Sequence, residues 1–138
     1  MIAVATNAEH RDAAREFFEL FKTAWEFYRS GGEYDAVICC GIVPSDIEAR
    51  VVLIYAPTEL PFDRQHQLHV RENSGGAASY RGWYLPVYSG LASIENGQDL
   101  IAAKTKTALA REIKIGRQRF IRVGYDLFAE VQHLLSNG

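Results

Sequence analysis

Residues 6–41 read TNAEHRDAAREFFELFKTAWEFYRSGGEYDAVICCG, and the fold class follows from them. Thr6 and Glu9 have the spacing of a capping box, in which hydroxyl and carboxylate each accept the other residue's amide. Ala14, Phe17, Phe18, Phe21, Trp25 and Tyr28 then recur at three- and four-residue steps, the period of one helical face. Leu20, Ala24 and Phe27 widen that face, and Arg29 suits the negative end of a helix dipole. Gly31 or Gly32 can supply a left-handed C-cap. This spacing predicts one helix over 8–29, with Phe21 at the centre of its buried side. From Tyr34 to Cys40 the chain is apolar almost throughout and stops at Gly41. A strand without alternation is buried on both faces, as in a sheet covered by helices.

Working outward, Ile2 to Ala5 reads as a first short strand and Val51 to Tyr55 as another wholly apolar one. Pro44 to Glu48 forms the turn between the strands, and Pro57 and Pro61 close the second. Asp63 to Asn73 leaves helix and strand both open. Ser74 to Ser79 has the composition of a loop. Tyr80 to Tyr88 is aromatic, and Pro86 there favours an edge strand or an extended segment. Asp99 can cap a short helix carrying Leu100, Ile101 and Ala103. Leu109 to Val123 alternates apolar and charged residues about Gly116, which predicts a β-hairpin. The last amphipathic segment, 125–136, places Leu127, Phe128, Val131, Leu134 and Leu135 on one face. The expected architecture is a single α/β domain over 1–138: a mixed, partly parallel sheet packed by amphipathic helices.

At 138 residues, 48% hydrophobic and 23% charged, the chain has the size and composition of one soluble globular domain. No apolar run approaches the roughly 20 residues of a membrane helix, and the start, MIAVATNAEHRD, lacks the basic n-region of a secretory signal. Cys39 and Cys40 are adjacent, so on a strand they point to opposite faces and cannot bridge or share a metal. Two small buried hydrophobes in a reducing compartment explain them, and the expected location is cytoplasmic. The net charge of −2 conceals an asymmetry. Nine acids face five bases in residues 1–50, while 104–122 holds Lys104, Lys106, Arg111, Lys114, Arg117, Arg119 and Arg122 against Glu112 alone.

Chemistry-bearing motifs are sparse. His66-Gln67-Leu68-His69, with Asp63 and Glu72 nearby, has three-residue spacing and no third ligand, so no metal site is expected. There is no nucleophile elbow, no P-loop and no G-x-G-x-x-G, and no cofactor is expected. The acids Glu9 and Asp12 disfavour an anion at the first helix N-terminus. An enzyme, a small hydrolase or transferase, would gather Asp35, Glu59, His66 and His69 near the strand ends, where open α/β sheets bind ligands. A carbohydrate or polyanion surface would draw on Tyr80, Trp83 and Tyr84 with Arg117 and Arg119. Core or edge packing is the favoured account of the aromatics, and bases alternating along a hairpin guard an edge. Nucleic acid is therefore the lesser alternative.

Leu85-Pro86-Val87-Tyr88-Ser89-Gly90 and Val123-Gly124-Tyr125-Asp126-Leu127-Phe128-Ala129-Glu130-Val131, with Leu134-Leu135, resemble the region preceding the catalytic domain in bacterial polysaccharide deacetylase-type proteins. The likeness covers about a third of the chain. That family's paired-aspartate motif and four-step histidine pair are absent, since no Asp-Asp occurs and His66 and His69 are three apart. The resemblance implies a non-catalytic accessory domain, the N-terminal part of a longer protein, whose partner is a C-terminal catalytic domain or a second copy of the chain.

Overall fold

The two apolar runs of 34–55 lie side by side at the centre of a six-stranded sheet. A computed structural model describes residues 1–20, 22–73, 76–80, 83–87, 91–96 and 110–137, with side chains described for 1–20, 22–71, 92, 94 and 110–135. The strands are β1 (Ile2–Thr6), β2 (Trp25–Phe27), β3 (Tyr34–Cys40), β4 (Ala49–Tyr55), β5 (Leu68–Asn73), β6 (Gly76–Tyr80), β7 (Trp83–Val87), β8 (Leu91–Asn96), β9 (Ala110–Ile115) and β10 (Gln118–Val123). The helices are α1 (Arg11–Glu19), α2 (Pro61–Gln65) and α3 (Leu127–Asn137). The main sheet runs β2-β1-β3-β4-β10-β9, parallel except for the antiparallel β9–β10 hairpin. Two antiparallel pairs, β5–β8 and β6–β7, form ladders of their own. This is the α/β, mixed-sheet architecture expected, with the β9–β10 hairpin turning at Gly116, whose φ of +60° suits a glycine.

The N-terminal helix is much shorter than its aromatic periodicity predicts. A 3-10 turn (Ala8–His10) leads into α1, which ends at Glu19, and Lys22 then takes a left-handed φ of +50°. Trp25 and Phe27 lie in β2 instead, pairing parallel with Ile2 and Val4. The three-to-four-residue spacing persists because the chain doubles back. Phe18 on α1 stacks on Trp25 at 5.0 Å, and Trp25 meets Phe27 edge-on at 5.0 Å. Phe21 lies outside the described residues. Gly31, at φ +82°, turns the β2–β3 connection rather than capping a helix. The capping box is not formed either. Thr6 pairs with Cys40 in the β1–β3 ladder, so its backbone belongs to the sheet, and its buried hydroxyl has no partner among the described residues.

Alternation along the strands sorts the core into two clusters. On one face Val4, Ile38 and Cys40 pack under α1 and α3, with Ala13, Ala14, Phe18 and Phe128 descending from the helices. On the other, Val37, Cys39, Val52, Ile54 and Phe120 are covered by Leu60 and Phe62 of the α2 region and by Leu68 and Ile94 of β5–β8. In α3 the Asp126 carboxylate accepts the Ala129 amide at 3.0 Å, and Phe128 is fully buried. Leu134 and Leu135, expected on its buried face, are 60% and 58% exposed. Residues 76–79, expected within a loop, belong to β6. The segment after Asp99 that was expected to be helical lies outside the described residues.

One buried ion pair joins the ends of the second face. Arg122, from the basic run, is 0% exposed, as is Asp63. The guanidinium donates from Nε to Asp63 Oδ1 at 2.9 Å and from Nη2 to Oδ2 at 3.2 Å. Its other donors reach the carbonyls of Ala56 (2.8 Å), Val123 (2.5 Å) and Thr58 (2.8 Å), so all five N–H groups are used. Asp63 Oδ2 also accepts the Leu60 amide at 2.7 Å, fixing the first turn of α2. A buried charge is tolerated only when paired and fully hydrogen-bonded, and this one is.

Candidate functional site

The crossover from β3 to β4 determines where a ligand could enter. These neighbours are parallel, with Tyr34 opposite Ala49 and Cys40 opposite Tyr55. Residues 41–48 must therefore travel the length of the sheet. A seven-residue strand is about 23 Å long, and eight residues reach at most roughly 26–29 Å. Only a few ångströms of slack remain, too little for the helix that ordinarily fills such a crossover. The segment crosses the second face without a helix, turning at Ser45 and Asp46, and leaves a cleft of about 630 Å³ between itself and α2.

Phe62 and Phe120, 5.3 Å apart, belong to the cleft wall, and the His66 ring lies against Phe62 at 4.4 Å. Val43, Pro44 and Ile47 line the crossover side, with the exposed Ile42. The polar lining comes from Ser45, Gln65, His66 and Gln118. Gln118 Nε2 donates to the carbonyls of Ile47 and Ala49, both at 2.9 Å, which pins the far end of the crossover. A second tether is made by Asp46, whose carboxylate accepts the Tyr28 hydroxyl at 2.9 Å and the Ser30 hydroxyl. Those two bonds, Ser30 first, hold the Asp46 carboxyl below its ordinary value. Burial, aided by Asp46, pushes the Tyr28 phenol up to about 12. Among the described residues, neither Ser45 nor Gln65 engages its side chain in a hydrogen bond, so both stay available to a ligand.

The four residues an enzyme reading would assemble do not meet in this cleft. His66 lines it. Asp35 stands at the amino end of β3, 88% exposed, and binds the N-terminal ammonium at 2.5 Å, which lowers its carboxyl. Glu59 accepts from exposed Arg64 at 3.2 Å. His69 is exposed on β5, in register with Glu95. Tyr80 pairs with Trp83 and Ser79 with Tyr84 in the β6–β7 ladder, their side chains lying outside the described residues. Arg117 is exposed at the hairpin turn, and Arg119 donates to Glu112 at 2.7 Å. Arg111 donates to the Ile94 carbonyl at 3.3 Å and Arg122 is buried, so much of the basic run serves the fold. Lys104 and Lys106 lie outside the described residues. Among the described residues no three His, Cys, Asp or Glu side chains converge as metal ligands.

A polar seam that the sequence did not reveal sits on the opposite face, at the carboxyl ends of β1, β3 and β4. His10 Nδ1 stands 3.6 Å from Asp126 Oδ2, linking the N-termini of α1 and α3. Cys40 is fully buried beside them, against the amides of Leu127 and Phe128. Burial and the Asp126 charge push the Cys40 thiol far up, and burial lifts Cys39 to about 12. Burial likewise raises the Tyr55 phenol to about 12. A thiol must ionise to act as a nucleophile. Cys40 is held as a neutral, packed thiol, so the seam joins helices and offers no attacking group. The pairing of His10 with Asp126 has no local signature, since the two are far apart in the chain.

No family model matches the chain, and no curated protein matches it. Among solved structures the fold is similar to part of the exo-beta-1,4-mannosidase Op5Man5 from Opitutaceae bacterium strain TAV5, with a TM-score of 0.64 and 13% identity. The match covers 99% of this chain and 33% of that one, so the chain spans about a third of the mannosidase's length, and the two share a fold.

Proposed function

We propose that this chain is a non-catalytic accessory domain of a polysaccharide-modifying protein, working beside a catalytic domain of the same polypeptide or a second copy of itself. The observation that carries the reading is the dispersal of reactive groups. Asp35 is committed to the N-terminus, Glu59 to Arg64, and both thiols are buried and neutral. His66 alone of the candidate acids and bases lines the cleft. The likeness of fold to one third of a much longer mannosidase chain supports a modular role in carbohydrate chemistry. The polysaccharide deacetylase-type resemblance of the sequence points to the same class of host.

The reading is tested by incubating the purified chain with chromogenic β-mannosides and β-glucosides and with acetylated oligosaccharides. Release of sugar or acetate should stay at the buffer rate. Saturable turnover that His66→Ala or His10→Ala abolishes would establish an enzyme instead.

A further inference from the structure

We propose that the cleft between the β3–β4 crossover and α2 is a binding site for a neutral saccharide of one or two rings. The inference rests on the accessory-domain reading and adds to it the site and the ligand chemistry. Three features of the cleft point to that class. Its volume of about 630 Å³ lies within the roughly 300–1,000 Å³ range of small-molecule sites. Its described lining contains no Asp, Glu, Lys or Arg, in a chain that is 23% charged, so no permanently charged side chain there selects an anion or a cation. The lining is apolar wherever it is not amide, hydroxyl or imidazole.

Such a combination matches a sugar ring, which presents C–H patches on its faces and hydroxyls around its rim. Pro44, Pro61 and Ile42 offer apolar contact for the faces, and Ser45, Gln65 and His66 offer hydrogen-bonding groups for the rim. Gln65 is exposed at the mouth and can both donate and accept, which suits a pair of neighbouring hydroxyls. The geometry is held before a ligand arrives. Gln118 and the Tyr28–Asp46 bond fix the crossover, so less ordering is required on binding.

The experiment is titration of the intact chain with mannobiose and cellobiose by calorimetry and ligand-observed NMR, with glucuronate and glucosamine as charged comparators. One of the neutral disaccharides should bind with a Kd of about 1 mM or tighter, and the charged sugars should bind more weakly. Ile42→Glu places a carboxylate at the exposed rim, and Gln65→Ala removes the amide. Each should weaken binding about tenfold or more while circular dichroism and the melting temperature stay as in the parent. The proposal is overturned if neither disaccharide binds, if both variants bind as the parent does, or if the charged sugars bind equally well. Turnover of a bound disaccharide would instead defeat the accessory reading and leave the site standing.

Discussion

The two faces of the sheet are both apolar but are covered in different ways. Under α1 and α3, aromatic rings interlock: Phe17 meets Phe18 edge-on at 5.1 Å and Phe128 at 6.1 Å, and Phe18 stacks on Trp25. The other face carries a short helix, a two-stranded ribbon and an extended crossover, clasped by one buried ion pair and opened by the cleft. The first face is held by interlocked aromatic rings beneath two helices. The second adds polar fasteners to a larger apolar cluster, and the space left under its crossover is where a ligand fits.

The largest effect expected from breaking this contrast is at the clasp. Asp63→Ala leaves the Arg122 guanidinium buried with two donors unmatched, and removal of one member of such a pair costs about 3–5 kcal/mol. Urea denaturation should show that loss. Asp63→Leu with Arg122→Met should recover much of it, because the desolvation of both charges is removed together. If the single variant loses less than about 1 kcal/mol, the second face is held by its apolar contacts and the contrast fails. On the first face, Phe18→Ala should cost toward the lower end of roughly 3–5 kcal/mol, with Trp25 fluorescence reporting loss of its stacking partner. By comparison, Ile42→Ala on the cleft rim should stay within about 0.5 kcal/mol of the parent.

A close approach of backbones supplies an intermediate case. A methyl group on Gly124 would lie 1.8 Å from the carbonyl oxygen of Ala92, which is backbone and cannot rotate aside. The Ala92 amide donates to the Gly124 carbonyl at 2.7 Å, so β8 is sewn to the end of β10 here. Gly124→Ala should therefore cost about 1–3 kcal/mol and raise amide exchange in β5–β8 before it does so under α1 and α3. Equal exchange on both faces would mean the ribbon does not depend on this seam.

How far these features could be read in advance differs along the same lines. β3, β4 and the β9–β10 hairpin were legible because central parallel strands are apolar on both sides and hairpins alternate about a turn residue. The α1–β2 region was not. Phe18 and Trp25 keep helical spacing although the chain reverses at Lys22, a residue with no turn propensity to announce it. Packing of Trp25 on Phe18 and pairing of β2 with β1 outweigh the local pattern. Arg122 looked like one more cation on an edge strand, and only a partner 59 residues earlier in the chain accounts for its burial. The cleft was hidden for a related reason. It arises from the shortness of 41–48 relative to parallel pairing of β3 with β4, and strand direction cannot be read from composition.

The smallest expected effect concerns the crossover tether and is visible mainly in its pH dependence. Asp46 is held below its ordinary value by Ser30 and Tyr28, so its contribution is present above the unfolded carboxylate value of about 3.9 and fades as pH falls through the lower folded value. Tyr28, raised to about 12, behaves oppositely. Its contribution is present below the unfolded phenol value of about 10 and fades as pH climbs from there toward about 12. Asp46→Asn should then flatten the acid limb of the melting-temperature profile between about pH 5 and pH 3, and Tyr28→Phe should flatten the alkaline limb as well. Because both groups sit at the surface end of the crossover, screening by water keeps each change small beside Asp63→Ala. If Asp46→Asn leaves the acid limb unchanged, the Asp46 tether does not form in solution and Gln118 alone holds the crossover there. Saccharide affinity should then fall in proportion to the fraction of molecules in which the crossover is displaced.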